Sequence, residues 1–394
     1  MPTHIELEFS NEPFEECTQS VIVSITDVHG RQQERVRLGV VQAEDVYNKI
    51  EAKEPVVLDL RYVNDFSLKT YRETRSLGKD EEIELPDFSA SWAYFDGVEP
   101  KDFSHTSFTG AVTSFAHSLF GDGPLSFFTA KFNASLTDFS LSHFGAGAAN
   151  FQYAAFNSKT ISFDHALFET GDIQFVNCEF GDANVSFREV NFGIGKVDFH
   201  YTRFGKGLIT FDKSTFGGGE VSFKRVDFGD GKVDFKRTHF GDGEIDFSEA
   251  DFGSGKAVFR SAEFGDGTIN FQECVSTSDF IFDNVTFGNG SLSFFNASAH
   301  MFSFKLCHFN NYVDLRVNEV EKLDLSDTIV RDIIDLMPTS KAPVRMKQMV
   351  FSGMRNLGNV YIDWERNDVL NLILSQEETS QRQKSDQFLV LKES

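Results

Sequence analysis

From Phe103 onward every twelfth residue is phenylalanine, through Phe115, Phe127, Phe139 and Phe151 to Phe271, without a miss. A second series of the same period runs from Phe108 through Phe120, Phe132 and Phe144 to Phe264. The two interleave, so the spacing alternates between five and seven residues, which no helical period reproduces. Together they use 29 of the 45 Phe, while the chain has only 8 Tyr and 2 Trp. So many large apolar rings cannot be scattered over a wetted surface. They must be buried, and a fixed repeat of this kind is the signature of a solenoid.

The neighbours of each Phe set the direction of the side chains. Two positions before the second-series Phe lies a small residue, as at Ala130, Ser142, Ala154, Ala166, Cys178, Thr202, Ser214, Thr238, Ala250 and Ala262, with Val190 and Val226 the largest. Two positions before the first-series Phe the residue is mostly β-branched: Ile161, Ile173, Val185, Val197, Ile209, Val221, Val233, Ile245, Ile269. Between slot and ring stands a polar residue such as Asp198, Asp227, Asp234, His239, Asp246, Asp251 or Glu263. In–out–in alternation is the period of an extended strand. Each Phe therefore ends a very short strand and points inward. The expected core ladder is Phe199, Phe211, Phe223, Phe235, Phe247 and Phe259 in one series and Phe204, Phe216, Phe228, Phe240, Phe252 and Phe264 in the other. The seven-residue step carries glycines, as in Gly205-Lys206-Gly207, Gly229-Asp230-Gly231 and Gly241-Asp242-Gly243. Glycine at both flanks permits positive φ, so these read as widened turns.

A small residue, a polar residue and a Leu or Phe on short five-residue sides resemble the bacterial pentapeptide-repeat proteins, over roughly Val56 to Leu336. The resemblance implies a right-handed, four-sided parallel β-helix with the large residue stacked at its centre. This chain departs from the family by widening alternate corners to seven residues. It returns to the plain step late, at Cys307-His308-Phe309, Val313-Asp314-Leu315 and Leu323-Asp324-Leu325. Four sides make a coil of two twelve-residue units, and about a dozen coils at ~4.8 Å make a rod on the order of 55 Å long. A two-sided coil of twelve residues is the rival geometry. It leaves too little cross-section for two Phe and a β-branched residue per level.

The expected fold class is thus an all-β solenoid over residues 55–336, with a small N-terminal α/β cap over 1–54 and a mostly helical C-terminal capping or linker segment over 337–394. Strands are expected at Ile5 to Phe9, Val21 to Ile25 and Val36 to Val41, a short helix at Ala43 to Ala52 and the first coil at Val56 to Leu60. Such a cap keeps open strand edges from pairing with other chains. The repeat slips near Ser276 and again between Phe294 and Phe304, where register defects are expected in preference to binding features. Beyond Met337-Pro338, residues Val369, Leu370, Leu372, Ile373, Phe388, Leu389 and Leu391 form broken helical stripes. Some pentapeptide-repeat proteins continue past such a segment into membrane-spanning regions. The similarity implies that any membrane attachment would come only through a region beyond residue 394.

Little in the chain points to chemistry. Cys17, Cys178, Cys274 and Cys307 have neither metal-ligand nor disulfide spacing, and three of them fall on inward lattice positions. The ten His include no helical pair and no grouping with Ser and Asp. Each glycine turn leads into a strand, whereas a phosphate loop leads into a helix. Catalytic, cofactor-binding and metal residues are all expected to be absent. The start, Met1-Pro2-Thr3-His4, shows no secretory signal, and no apolar run reaches the ~20 residues of a membrane span, so a cytoplasmic location is expected. Net charge is -23, which argues against direct nucleic-acid binding.

The favoured function is a non-catalytic rigid scaffold or protein-interaction module. One form of it is the soluble part of a membrane-attached protein; the expected partner is a protein, with a second copy of the chain as a candidate for the weakly charged 103–163 stretch. One alternative is a DNA-mimicking modulator of a type II topoisomerase, as the resemblance suggests for an acidic rod. Against it, residues 1–102 hold 22 acidic and 11 basic side chains, whereas 199–271 hold 12 and 10 with pairs such as Lys224-Arg225 and Lys236-Arg237. A second alternative is a calcium-binding β-roll. The turn centre is Asp at 122, 182, 230, 242 and 266, but Ala146, Ile194, Lys206, Gly218, Ser254 or Asn289 elsewhere, and a ligand position does not accept Lys or Ile.

Overall fold

Backbone pairing repeats every two twelve-residue units. Ile173 lies opposite Val197, Val185 opposite Ile209 and Val221 opposite Ile245, all in parallel ladders. The computed structural model describes residues 4–26, 29, 31–97 and 99–363. It is an all-β solenoid of about 13 turns, in two units, Met1–Glu220 and Val221–Ser394.

Four ladders run through the first unit. One stacks Lys101–Asp102, Leu125–Ser126, Ala149–Asn150, Ile173–Gln174 and Val197–Asp198. The next carries Thr106–Thr109, Lys131–Phe132 and Ala155–Phe156, then single bridges at Glu179 and Arg203. The third holds Val112–Ser114, Leu136–Asp138, Thr160–Ser162, Asn184–Ser186 and Ile209–Thr210. The fourth passes through Leu119, His143, Leu167, Asn191 and Thr215. Four faces per coil leave four inward corners, and Phe fills them. Phe127, Phe151 and Phe175 stack at 5.0 and 4.7 Å, and Phe139, Phe163 and Phe187 at 4.8 and 5.0 Å. These two columns meet edge to face across the axis, as Phe127 does with Phe139 at 5.4 Å and 82°. Rings stacked along a column and crossed between columns satisfy the quadrupole preference in both directions. In the second unit Phe223, Phe247 and Phe271 repeat the pattern at 4.7 and 4.6 Å, and Phe235 stacks on Phe259 at 4.8 Å.

The small slot does more than leave room. Its hydroxyls and thiols donate to the carbonyl of the first-series Phe one coil earlier: Ser142 to Phe115 at 2.6 Å, Cys178 to Phe151 at 2.9 Å, and Thr202 to Phe175. That bond is what lets a polar residue occupy a dry core.

The corners divide strain differently from the sequence expectation. Positive φ falls on the residue two after each first-series Phe, at Thr129, Leu141, Tyr153, His165, Asn177 and Tyr201 among others, with values of 56 to 60°. Among the turn glycines, Gly229 and Gly241 have φ of 64°, but Gly205, Gly207, Gly231 and Gly243 do not enter the positive region. The second glycine is needed for another reason. A Cβ at Gly207 would overlap the carbonyl of Ala183 in the neighbouring coil, and one at Gly255 that of Gly231. Close stacking of backbones, rather than torsion, fixes that position.

At the N-terminal end, β1 (His4–Ser10) and β2 (Ser20–Thr26) form an antiparallel hairpin, and β3 (Gln32–Gln42) pairs with β2. β3 then pairs in parallel with β4 (Arg61–Asn64), placing these strands in the sheet of the fourth face. Val21, Val23, Ile25 and Leu38 pack with Tyr62, Tyr94 and Leu119 of that face. Helix α1 (Ala43–Glu51) buries Val46, Tyr47 and Ile50. A second helix, α2 (Leu68–Thr74), was not foreseen; Ser67 caps it by accepting the Thr70 amide. It places the buried Arg72 guanidinium against the carbonyls of Glu81, Ser104 and His105 and near Asp102.

The C-terminal expectation fails. Residues 337–363 contain no α-helix; Arg345–Val350 pairs with Glu319–Asp324, and Val360–Tyr361 with Ile334–Asp335. Met346 and Met349 lie opposite Val320 and Leu323, so these methionines extend the strand ladder instead of lining a helix. The stripe from Val369 to Leu391 lies outside the described residues.

The slip near Ser276 combines the loss of one residue, so that Ala257 pairs 23 positions on where Val221 pairs 24 on, with an exchange of volume between two inward sites. Ser276 stands where the second series would place Phe, and Phe280 takes the slot opposite Ala257. The Phe280 ring packs on Phe252 at 4.7 Å. One coil on, Ala299 and Phe302 repeat the exchange, and Phe280 stacks on Phe302 at 5.2 Å.

Candidate functional site

The interior of the described coils is filled by the Phe ladder. All twelve rungs named above are buried, none more than 5% exposed. Cys178, Cys274 and Cys307 are fully buried, and desolvation pushes each thiol up, Cys307 to about 12, so none is a thiolate at neutral pH. Cys17 alone is partly exposed.

The acidic side chains of the turns and strands are turned back on the backbone. Asp182 accepts the Lys206 amide at 3.0 Å, Asp242 the Asp266 amide at 3.1 Å and Asp266 the Asn289 amide at 2.9 Å, each one coil along. Asp198 and Asp246 accept the amides of His200 and Ser248, two residues on, at 2.9 and 2.8 Å. These carboxylates cap amides that the corners leave without partners. No cluster of three or more His, Cys, Asp or Glu suited to a metal occurs among the described residues. Among them, too, no helix is long and apolar enough to cross a membrane.

The densest polar group lies near the N-terminal sheet. Tyr62 and Tyr94 donate to opposite oxygens of Asp96 at 2.8 and 3.1 Å. Burial raises both phenols, and the Asp96 charge adds to it. The buried Lys101 ammonium donates to the Gly97 carbonyl. Desolvation lowers its pKa against the opposing pull of Asp96, Asp122 and Asp65. The lysine offsets part of the charge of these three carboxylates, and each named polar head has a hydrogen-bond partner. The group reads as internal counter-charge.

A cavity of about 670 Å³ lies between the N-terminal strands and α1, lined by Glu15, Glu16, Cys17, Asp45, Lys49 and Val57 among others. Glu15 is already paired with Arg61. The remaining surface consists of outward columns. On the third face of the second unit, cation and carboxylate alternate: Lys232 and Lys236 meet Asp234, Lys256 meets Asp279 at 3.0 Å and Arg260 meets Asp283 at 3.2 Å. In the first unit, the corner between the first two faces carries the column Thr129, Tyr153, Asn177 and Tyr201, with Tyr153 55% and Tyr201 45% exposed. Sequence reasoning passed over this column because neither Tyr belongs to the Phe series. The signal was there: both stand two residues after a first-series Phe, 48 positions apart.

No family model, curated protein or solved structure matches this chain.

Proposed function

We propose that the protein is a non-catalytic scaffold that presents flat β faces to a protein partner, and that it is a variant of the pentapeptide-repeat type with alternate corners widened. The observation that carries this reading is the Phe-filled interior, which commits the described coils to packing and leaves the outer surface for recognition. The regular five-residue sides ending in buried Phe support the family reading.

The scaffold reading is preferred to DNA mimicry because so many carboxylates cap amides or pair with lysine. A duplex mimic needs them unpaired and in file. It is preferred to calcium binding because the turn aspartates already accept backbone amides. Photo-crosslinking residues placed at Asn150, Glu179, Ser186 and Asn191, one per face, test it. Capture of the same protein from one face, unchanged in K49A and E16A, is expected. A small-molecule turnover abolished by either cleft substitution would end the scaffold reading. Inhibition of a type II topoisomerase at low salt, lost when surface Asp and Glu are neutralised, would favour mimicry instead.

A further inference from the structure

We propose that the corner column bearing Tyr153 and Tyr201 binds an extended, uncharged β-1,4-linked polysaccharide. The column lies wholly in the first unit and runs Thr129, Tyr153, Asn177, Tyr201, one residue per coil. All four have the same left-handed backbone, with φ between 56 and 59°, so their side chains leave the corner in equivalent directions. Successive coils are about 4.8 Å apart, which sets the two tyrosines roughly 10 Å apart with an amide between them. A β-1,4-linked chain of pyranose rings is a flat ribbon. It advances by close to one such strand spacing per ring and shows the same face at every second ring. Tyr153 and Tyr201 therefore meet equivalent sugar faces, and Asn177 meets the hydroxyl edge between them.

The surroundings select the class of ligand. Around the column the outward residues of the first three coils are Pro124, Ser126, Phe128, Lys131, Asn150, Gln152, Gln174, Val176 and Asn157, and the fourth coil adds Asp198 and His200, whose ring lies 4.2 Å from that of Tyr201. The charges nearby are paired: Glu179 with Arg203 at 3.2 Å, Asp198 with Lys196 at 3.7 Å, and Lys131 with Glu82. In a chain of net charge -23 this strip has little charge to offer, so it complements a ligand that has none. Its aromatic edge is braced, with Phe128 against Tyr153 edge to face at 5.7 Å. The amides are held too: Gln152 donates to Gln174 at 2.8 Å and Asn157 to Asn133 at 2.7 Å. Rigid rings beside fixed amides bind with little ordering cost. A second copy of the chain fits worse. Three coils of one corner offer on the order of 300 Å², well short of the ~800 Å² per partner of a stable interface.

Binding of cellohexaose and chitohexaose, read by isothermal titration on the whole chain, tests the assignment. Maltohexaose and polygalacturonate serve as the bent and the charged controls. Expected is binding of a β-1,4 hexaose, weakened roughly tenfold in Tyr153→Ala and in Tyr201→Ala and abolished in the double variant. Both rings are exposed, and an unchanged circular dichroism spectrum and melting temperature show that the variants fold. No binding of either β-1,4 hexaose at millimolar concentration overturns the proposal, as does binding indifferent to both tyrosines. A concentration-dependent dimer lost in Y153A assigns the column to self-association and overturns it as well. Because the scaffold reading rests on the filled interior, none of these failures touches it.

Discussion

Two glycines separate the roles that glycine plays in the widened turns. At Gly207 a Cβ would run into the Ala183 carbonyl, while at the exposed Gly218 nothing lies within 4 Å and φ is not positive. Gly207→Ala should lower stability by about 1–3 kcal/mol through overpacking. Gly218→Ala should be neutral or gain up to about 1 kcal/mol by restricting the unfolded chain. Urea midpoints of the two variants check the contrast, and equal losses would contradict it. The left-handed corners supply the converse case. Leu141 holds φ at 58° with 47% of its surface exposed. Leu141→Asn should raise the melting temperature, because Asn tolerates this backbone about 1 kcal/mol better. At this scale the sequence marked which residues are special but not why. The slot was legible as small, yet the bonds from Ser142, Cys178 and Thr202 to Phe carbonyls were not, because they join residues 27 apart.

Among the elements, regular strands were legible because side-chain direction alternates in the sequence itself. What escaped reading was local exception. Helix α2 interrupts the first coil with a single Ser cap and no long apolar stripe. The methionines after Arg345 suit either period when read alone, and only pairing with Val320 and Leu323 settles them as strand. The exchange at Ser276 and Phe280 makes a sharper test of the packing account. Ser276→Phe alone should destabilise by overpacking, and Phe280→Val alone by leaving a void against Phe252, each by about 1–3 kcal/mol. Combined, they return the regular residue types to both inward sites, though the coil stays one residue short, and should recover at least half the summed loss, a coupling read from a double-mutant cycle. Strict additivity would mean that the two sites do not share one volume.

For the molecule as a whole, buried acids with neutral side chains set a limit at high pH. The thiols of Cys178, Cys274 and Cys307 and the phenols of Tyr62, Tyr94 and Tyr312 are all raised by burial. A raised acid keeps its full contribution below its unfolded pKa and loses it as pH climbs toward the folded value. Stability should therefore hold to about pH 9 and then fall, by about 1.4 kcal/mol per pH unit for each buried thiol. Replacing the three cysteines by Ala, which fills the same slot at Ala154 and Ala166, should flatten the decline between pH 9 and 10.5. An identical decline in wild type and triple variant would assign it to the tyrosines alone.

The sequence in the regular coils repeats after twelve residues, but the backbone closes only after two such units. Chain length there works as a dial. Inserting one unit between Phe139 and Phe199 would carry all that follows it in that stack half a turn about the axis, with a Phe still arriving at every inward corner. Inserting two would restore the bearing and add only height. By counting units, such a lineage can re-aim one surface column against another without changing a residue in either.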